Sequence, residues 1–248
     1  MKTPKPTRQI ASVSTAELYH RWAKVYDSDG NILQTTDDLS LPPLLTQFFS
    51  LLPPNGAKIA ELGCGTGRNT AKILIPPSST NISSIHALDL SPSMLDIARQ
   101  RCSAITAGGT APIPSPEFHV FDALSGAAPP EEACGANGVL SSLVLEHLPL
   151  DVFFKSIKKL LAKEGGYLLL TNMHEEMGRR GQAGFVDVES GEKVRGRCHL
   201  HISPFLHPDT ISTNVFNVFY QNIQSLENYS NATTDYKIPQ ADPNGYPI

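Results

Sequence analysis

Residues Glu61-Leu62-Gly63-Cys64-Gly65-Thr66-Gly67 constrain this chain more than any other segment. Three glycines at intervals of two follow an apolar run, Lys58–Leu62 (KIAEL), and lead into Asn69–Ile75, which reads as a helix. A strand has to turn sharply into a helix there. Residues without a Cβ allow left-handed backbone angles and let a ligand approach the main chain, next to the free N–H groups of the helix start. The same alternation then continues. Ser84–Leu88 reads as a strand, Ser93–Cys102 as a helix, Glu117–Phe121 and Gly138–Leu145 as strands, Asp151–Ala162 as an amphipathic helix and Gly166–Asn172 as a buried strand. Apolar strands alternating with helices bury both faces of a sheet. The expected fold is therefore α/β: a Rossmann-like, doubly wound, mostly parallel sheet with helices on both faces, over residues 55–175.

An acid, Asp89, ends the strand that follows the loop, 22 residues beyond Gly67. A carboxylate so placed accepts hydrogen bonds from a ribose diol in nucleotide-binding folds. A dinucleotide calls for G-x-G-x-x-G, but position 68 is Arg68, so that register fails. G-x-G-x-G with an acid, Glu61, two residues before the first glycine instead resembles the first motif of class I S-adenosylmethionine (SAM)-dependent methyltransferases. Further segments are similar to that family's later motifs, in order and with normal spacings: His86–Arg99 (HALDLSPSMLDIAR), Phe118–Gly126 (FHVFDALSG), Leu140–Pro149 (LSSLVLEHLP) and Leu160–Asn172 (LLAKEGGYLLLTN). Within the class the chain resembles the quinone-biosynthesis and malonyl-carrier-protein methyltransferase type. The stretch Thr171–Asp187 (TNMHEEMGRRGQAGFVD) also resembles fungal secondary-metabolite relatives.

The resemblance implies SAM as cofactor and methyl transfer to a small molecule in secondary metabolism, with an O, N or C acceptor left open. It implies cofactor contacts from Glu61, Gly63, Cys64, Gly65 and Gly67, from Asp89 at the ribose, from Met94 and Asp122 at the adenine, and from Leu90, Ala123 and Leu143. Read without the family, Asp89 could cap the helix after Ser91-Pro92, Asp122 could simply end a strand, and Met94 could be core.

Methyl transfer needs an acceptor held in line with the sulfonium, and a base only where the acceptor must lose a proton. Open α/β sheets bind ligands at the carboxyl ends of their strands, where Glu146-His147 and His174 fall, so His147 and His174 are catalytic candidates with Tyr26. The bland alternative for His147 is a turn residue bonded to backbone. Trp22-Ala23-Lys24-Val25-Tyr26-Asp27 resembles the W-x-x-x-Y-D lid of the subgroup. Tyr19, Trp22 and Tyr26 are then the substrate lid, an aromatic wall facing a cation, or else a core-facing stripe.

Three regions are expected. Residues 1–54 hold an N-terminal arm (1–14) and a helical lid, with helices at Thr15–Tyr26 and Leu41–Leu52; Pro42 and Pro43 are placed in the second helix's first turn. Residues 55–175 form the SAM-binding core. Residues 176–248 form a hairpin cap, Ala183–Arg197 turning at Ser190-Gly191, and a divergent C-terminal segment. Residues 205–248 carry five charged side chains and six asparagines. Pro208–Tyr229 reads as a helix, and no final strand pair is recognisable. That leaves an alternative: a SAM-fold protein with an exposed sheet edge and lost or repurposed activity.

Composition narrows the partners. A net charge of -4 argues against nucleic acid, and no run approaches the ~18 apolar residues of a membrane helix. The polar start is unlike a secretory signal, so Cys64, Cys102, Cys134 and Cys198 are expected as free thiols in the cytoplasm. No C-x-x-C pair is present, and no metal site is expected. Twenty prolines mostly punctuate predicted helices and loops. No feature sets an oligomeric state.

Overall fold

The computed structural model describes residues 10–75, 82–108, 114–173, 183–196, 199, 211–212 and 216–222, the last two stretches as backbone. Five parallel strands make the body of the sheet: β2 (Ala57–Leu62), β3 (Ile82–Asp89), β4 (Glu117–Val120), β5 (Gly138–Ser142) and β6 (Tyr167–Met173). The helices are α1 (Thr15–Trp22), α2 (Ile32–Leu51), α3 (Arg68–Ile73), α4 (Pro92–Gly108) and α5 (Leu150–Leu160). Side-chain alternation along the strands feeds two cores. Ala60, Leu62, Val139, Leu168 and Leu170 pack with Phe153, Ile157 and Leu160 of α5. Ile59, Leu140 and Leu169 pack on the other face with Leu41, Leu44, Leu45 and Phe48 of α2. Both faces of the sheet are thus covered, as the strand–helix alternation requires. Among the described residues no helix is long and apolar enough to cross a membrane.

Three expectations are corrected. The sheet does not stop at β6. It has seven strands in the order β4-β3-β2-β5-β6-β10-β9, where β9 is Ile211–Ser212 and β10 is Phe216–Asn222. β10 runs antiparallel to β6 from Phe216↔Met173 to Asn222↔Tyr167, and β9 pairs with Asn217 and Val218 of β10. The helix expected over Pro208–Tyr229 is therefore broken by strand in its middle. The run FNVFY is rich in strand formers, and β6 would otherwise leave a row of backbone groups unpaired. The missing edge that motivated a reading without activity is present.

The arm expected over 1–14 ends in a strand, β1 (Ile10–Ser12), which pairs parallel with β8 (Lys193–Arg195). β8 also pairs antiparallel with β7 (Gly184–Val186), the expected hairpin, giving a separate three-stranded sheet β1-β8-β7. Ser14 begins α1 by accepting a hydrogen bond from the Glu17 N–H at 3.2 Å, a capping arrangement that also closes the arm. α1 ends at Trp22, and turns run from there past Tyr26.

The second helix begins at Ile32 instead of Leu41 and carries Pro42 and Pro43 in its interior. Interior prolines normally break a helix. Here its first half is held from outside: Asn31 caps the Leu33 N–H at 2.9 Å, Asp37 accepts from Asn69 and Asp38 pairs with Arg68 and Lys72.

Candidate active site

The glycine loop lies between β2 and α3, against the end of β3. Gly63, Gly65 and Gly67 have φ of 76°, 54° and 75°, all left-handed. At Gly63 a Cβ would come within 2.1 Å of Val144 Cγ2, and at Gly67 within 2.9 Å of the Ala98 backbone, so crowding as well as dihedral excludes side chains. The Gly63 and Cys64 N–H groups donate to Leu88 O at 2.7 and 3.0 Å. Asp89 closes the loop: Oδ2 accepts from the Gly65 N–H at 2.8 Å, and Oδ1 accepts from the Ser91 N–H at 2.8 Å. Burial raises the Asp89 carboxyl above its usual range, offset in part by those two N–H groups. Beneath the loop, Glu61 is buried and accepts from Thr70 Oγ1 at 2.6 Å. Desolvation pushes its carboxyl up to about 8.

A cavity of about 100 Å³ opens at the carboxyl ends of the strands. Gly63, Asp89, Leu90, Asp122, Ala123, Leu143 and His147 line it, together with Tyr19 and Tyr26. Asp122 starts a short turn of helix by accepting from the Leu124 N–H at 2.8 Å. Leu143, at the end of β5, is among the described residues the non-glycine one with a left-handed φ, 58°, and its N–H donates to Thr171 O at 2.9 Å. Such a conformation stores strain where a strand must present its backbone to a cleft. Glu61, Cys64, Gly65, Gly67, Met94 and Trp22 do not line the cavity. Met94 is fully buried in α4, and the Cys64 side chain packs with Ala87 and Leu95, where burial pushes its thiol well up. His174 lies outside the described residues.

The aromatic stripe of α1 divides its work. Trp22 sits behind the cavity, stacked on Phe185 of β7 at 5.4 Å, and its Nε1–H donates to Asp29 Oδ2 at 2.6 Å. Tyr19 and Tyr26 face the cavity, with Tyr26 edge-on to Trp22 at 5.0 Å. Burial raises the Tyr26 phenol far above its ordinary value, so it keeps its proton at neutral pH. Tyr19 Oη lies 2.7 Å from His147 Nε2, a hydrogen bond from the lid to the turn after β5. Beside them Glu146 is buried, with Oε1 3.9 Å from His147 Nε2. Desolvation pushes the Glu146 carboxyl up to about 7.

Several contacts that secure this arrangement carry no sequence signal, although Asp27 and Arg68 themselves fall in stretches the sequence marks. Asp27 accepts from Thr66 Oγ1 at 2.8 Å and pairs with Arg101 at 2.7 Å, tying the lid to the glycine loop and to α4. Buried Asp37 accepts from Ser142 Oγ at 2.8 Å and Thr171 Oγ1 at 3.1 Å, below Leu143. Arg68, which breaks the dinucleotide motif, binds Gln34 and Asp38 of α2. The partners in each set are 30 or more residues apart, so only the fold brings them together.

Residues 59–165 match the family model described as a methyltransferase domain. An uncharacterized methyltransferase of Emericella nidulans is 42% identical over 212 residues, which are 78% of this chain and 72% of that protein. Methyltransferase-like protein 27 of Homo sapiens is 38% identical over 113 residues, 43% of either chain. Among solved structures, the DhpI-SAM-HEP complex superposes with a TM-score of 0.59 at 17% identity, covering 83% of this chain and 97% of that one. Magnesium protoporphyrin IX methyltransferase (ChlM) from Synechocystis PCC 6803 with bound SAH gives 0.50 at 17% identity, covering 83% and 95%. At these identities the two structures speak to fold, whereas the fungal relative speaks to family. Five motifs in register, a sheet of this order and a relative this similar place the chain in one group: it belongs to the class I SAM-dependent methyltransferases.

Proposed function

We propose that this methyltransferase acts on a small organic molecule whose acceptor atom sheds a proton, and that Tyr19 and His147 take that proton. The single observation behind this reading is the 2.7 Å contact between Tyr19 Oη and His147 Nε2, in the same cavity as Asp89, Asp122 and Leu143. A hydroxyl already bonded to an imidazole passes a proton along: the acceptor gives to Tyr19 Oη as Tyr19 gives to Nε2. Tyr26, held as a phenol, serves as wall and not as base.

The residues present fit a SAM site. Each Asp89 carboxylate oxygen accepts one backbone N–H and keeps a lone pair for a ribose hydroxyl. A Cβ on Gly65 would meet open space, so the loop backbone there is free to be approached. In this reading Gly63, Gly65 and Gly67 hold the cofactor by backbone, and Asp122 and Ala123 meet the adenine. Leu90 and Leu143 flank it, and Glu61, Cys64 and Met94 set the loop from beneath. SAM, when bound, supplies an electrophilic methyl group on a sulfonium. Residues 55–175 carry the cofactor, 1–54 supply arm and lid, and 176–248 cap the cleft and complete the sheet. The likeness of Thr171–Asp187 to fungal relatives supports a place in secondary metabolism. Cys64 and Cys102 as buried free thiols suit a reducing cytoplasm, and the net charge of -4 disfavours nucleic-acid acceptors.

Calorimetry with S-adenosylhomocysteine (SAH), followed by product assay on phenols, amines and carboxylic acids, tests this. SAH should bind, and a phenol or amine should be methylated. His147→Gln should lower kcat roughly 10²- to 10⁴-fold while SAH affinity stays put. Methylation of carboxylic acids alone, unaffected by His147→Gln, would remove the proton relay. Binding of SAH without turnover on any acceptor would instead return the reading of lost activity.

A further inference from the structure

We propose that His86, Glu117 and His119 form a binding site for a divalent transition metal of the zinc class, at the edge of the sheet beside the cofactor half. His86 lies on β3, and Glu117 and His119 on β4, the outermost strand on that side. Parallel pairing sets His86 opposite Glu117, and strand periodicity returns His119 to the same face two residues on. The three potential ligand atoms all lie within 4.8 Å of one another.

The spacing argues for a shared ion over a shared proton. His86 Nδ1 and His119 Nε2 are 3.4 Å apart, longer than the 2.7–3.2 Å usual for an N–H donor. A tetrahedral ion with metal–nitrogen bonds of about 2.0–2.1 Å separates its nitrogens by about 3.3–3.4 Å. Glu117 Oε2 stands 3.7 Å from His86 Nδ1, close to the same ligand–ligand edge. The two rings lie side by side, with centroids 5.6 Å apart and planes 29° from parallel.

The ligand types are those zinc takes in three-protein-ligand sites that leave a fourth position to water. The facing charges are mixed. Glu117 and Glu132 favour a cation, and Lys58 opposes one, but its ammonium is engaged by the Glu132 and Cys134 carbonyls, both at 2.9 Å. His86 and His119 are 33 residues apart, and neither belongs to a recognisable ligand motif. A bound ion would join a four-residue edge strand to its neighbour by side chains as well as by its ladder.

The test uses the full chain, stripped with chelator and free of any affinity tag. Zinc chloride is titrated by calorimetry and by thermal melting, and cobalt(II) by visible absorption. One zinc per chain should bind and raise the Tm, because an ion that binds only the folded state stabilises it. His119→Ala and, on the exposed carboxylate, Glu117→Gln should each weaken zinc binding roughly tenfold or more. The metal-free melt of Glu117→Gln should match wild type, which separates ligand loss from misfolding. The cobalt form should show a tetrahedral spectrum without a thiolate charge-transfer band. Absence of binding, affinity indifferent to both substitutions, or a thiolate band assigning the ion to cysteine would each overturn the site.

Discussion

Glu61 is a carboxyl group shut away from water, with one hydroxyl, that of Thr70, to answer it. Desolvation outweighs that hydrogen bond and carries its pKa from 4.5 to about 8. A folded-state pKa above the unfolded one means that the native protein holds the proton more tightly. The contribution to stability is full below about pH 4.5 and is lost as pH rises to about 8, with a slope of at most about 1.4 kcal/mol per pH unit. Glu146, raised to about 7, adds a loss of the same sign. Thermal melts from pH 5 to 8 should therefore fall for wild type and fall less for Glu61→Gln, which keeps the shape and cannot ionise. Parallel curves would mean that Glu61 is ionised in the fold. At this scale the sequence is legible where partners are close along the chain. The loop glycines and Asp89 belong to one strand–turn–helix–strand passage, and their spacing is their meaning. The protonation of Glu61 is illegible, because it depends on how completely α3 and the sheet exclude water.

The turn after α1 is a latch. Asp27 holds Thr66 of the glycine loop with one carboxylate oxygen and Arg101 of α4 with the other. Tyr19 and Tyr26 reach the cavity from the same lid. Asp27→Asn keeps the shape but removes the charge that Arg101 meets. A half-buried charge-assisted bond is worth about 1.5–3 kcal/mol, and solvent screening takes this one to the low end. SAH affinity should drop roughly tenfold with little change in Tm, and protease cutting between residues 23 and 31 should speed up. Unchanged affinity would show that the lid closes without this pair. Helix α1 is legible from its aromatic spacing. The start of α2 is not, because two adjacent prolines read as a beginning. What carries the helix through them is Asp37 and Asp38, whose partners lie on α3 and, for Asp37, also on β5 and β6.

Across the whole molecule, the sheet is held by strands from both ends of the chain's second half. β10 pairs with β6 over seven residues and with β9 beyond it, so at Val218 backbone groups face neighbours on both sides. Val218→Pro deletes a donor and misfits the ladder, which should cost about 3 kcal/mol or more, read as a lower midpoint in urea. A variant that unfolds like wild type would place β10 outside the cooperative unit. The five parallel strands are legible as apolar runs, and three of them, β2, β3 and β5, are followed by a covering helix. β10 is not, because its run sits among asparagines with few charges, where two kinds of periodicity compete.

The pairing of β1 with β8 has a consequence in time. Ile10 is made early, and its partner Lys193 is 183 residues later. At about 5–20 residues per second, β1 waits roughly 10–40 s on the ribosome for the strand that receives it. Strands β2 to β6, with their covering helices, are complete by residue 173. The sheet and the Asp27 latch are thus complete while β1 still has no partner, and the newborn protein passes through a form whose lid is held at its Asp27 end only.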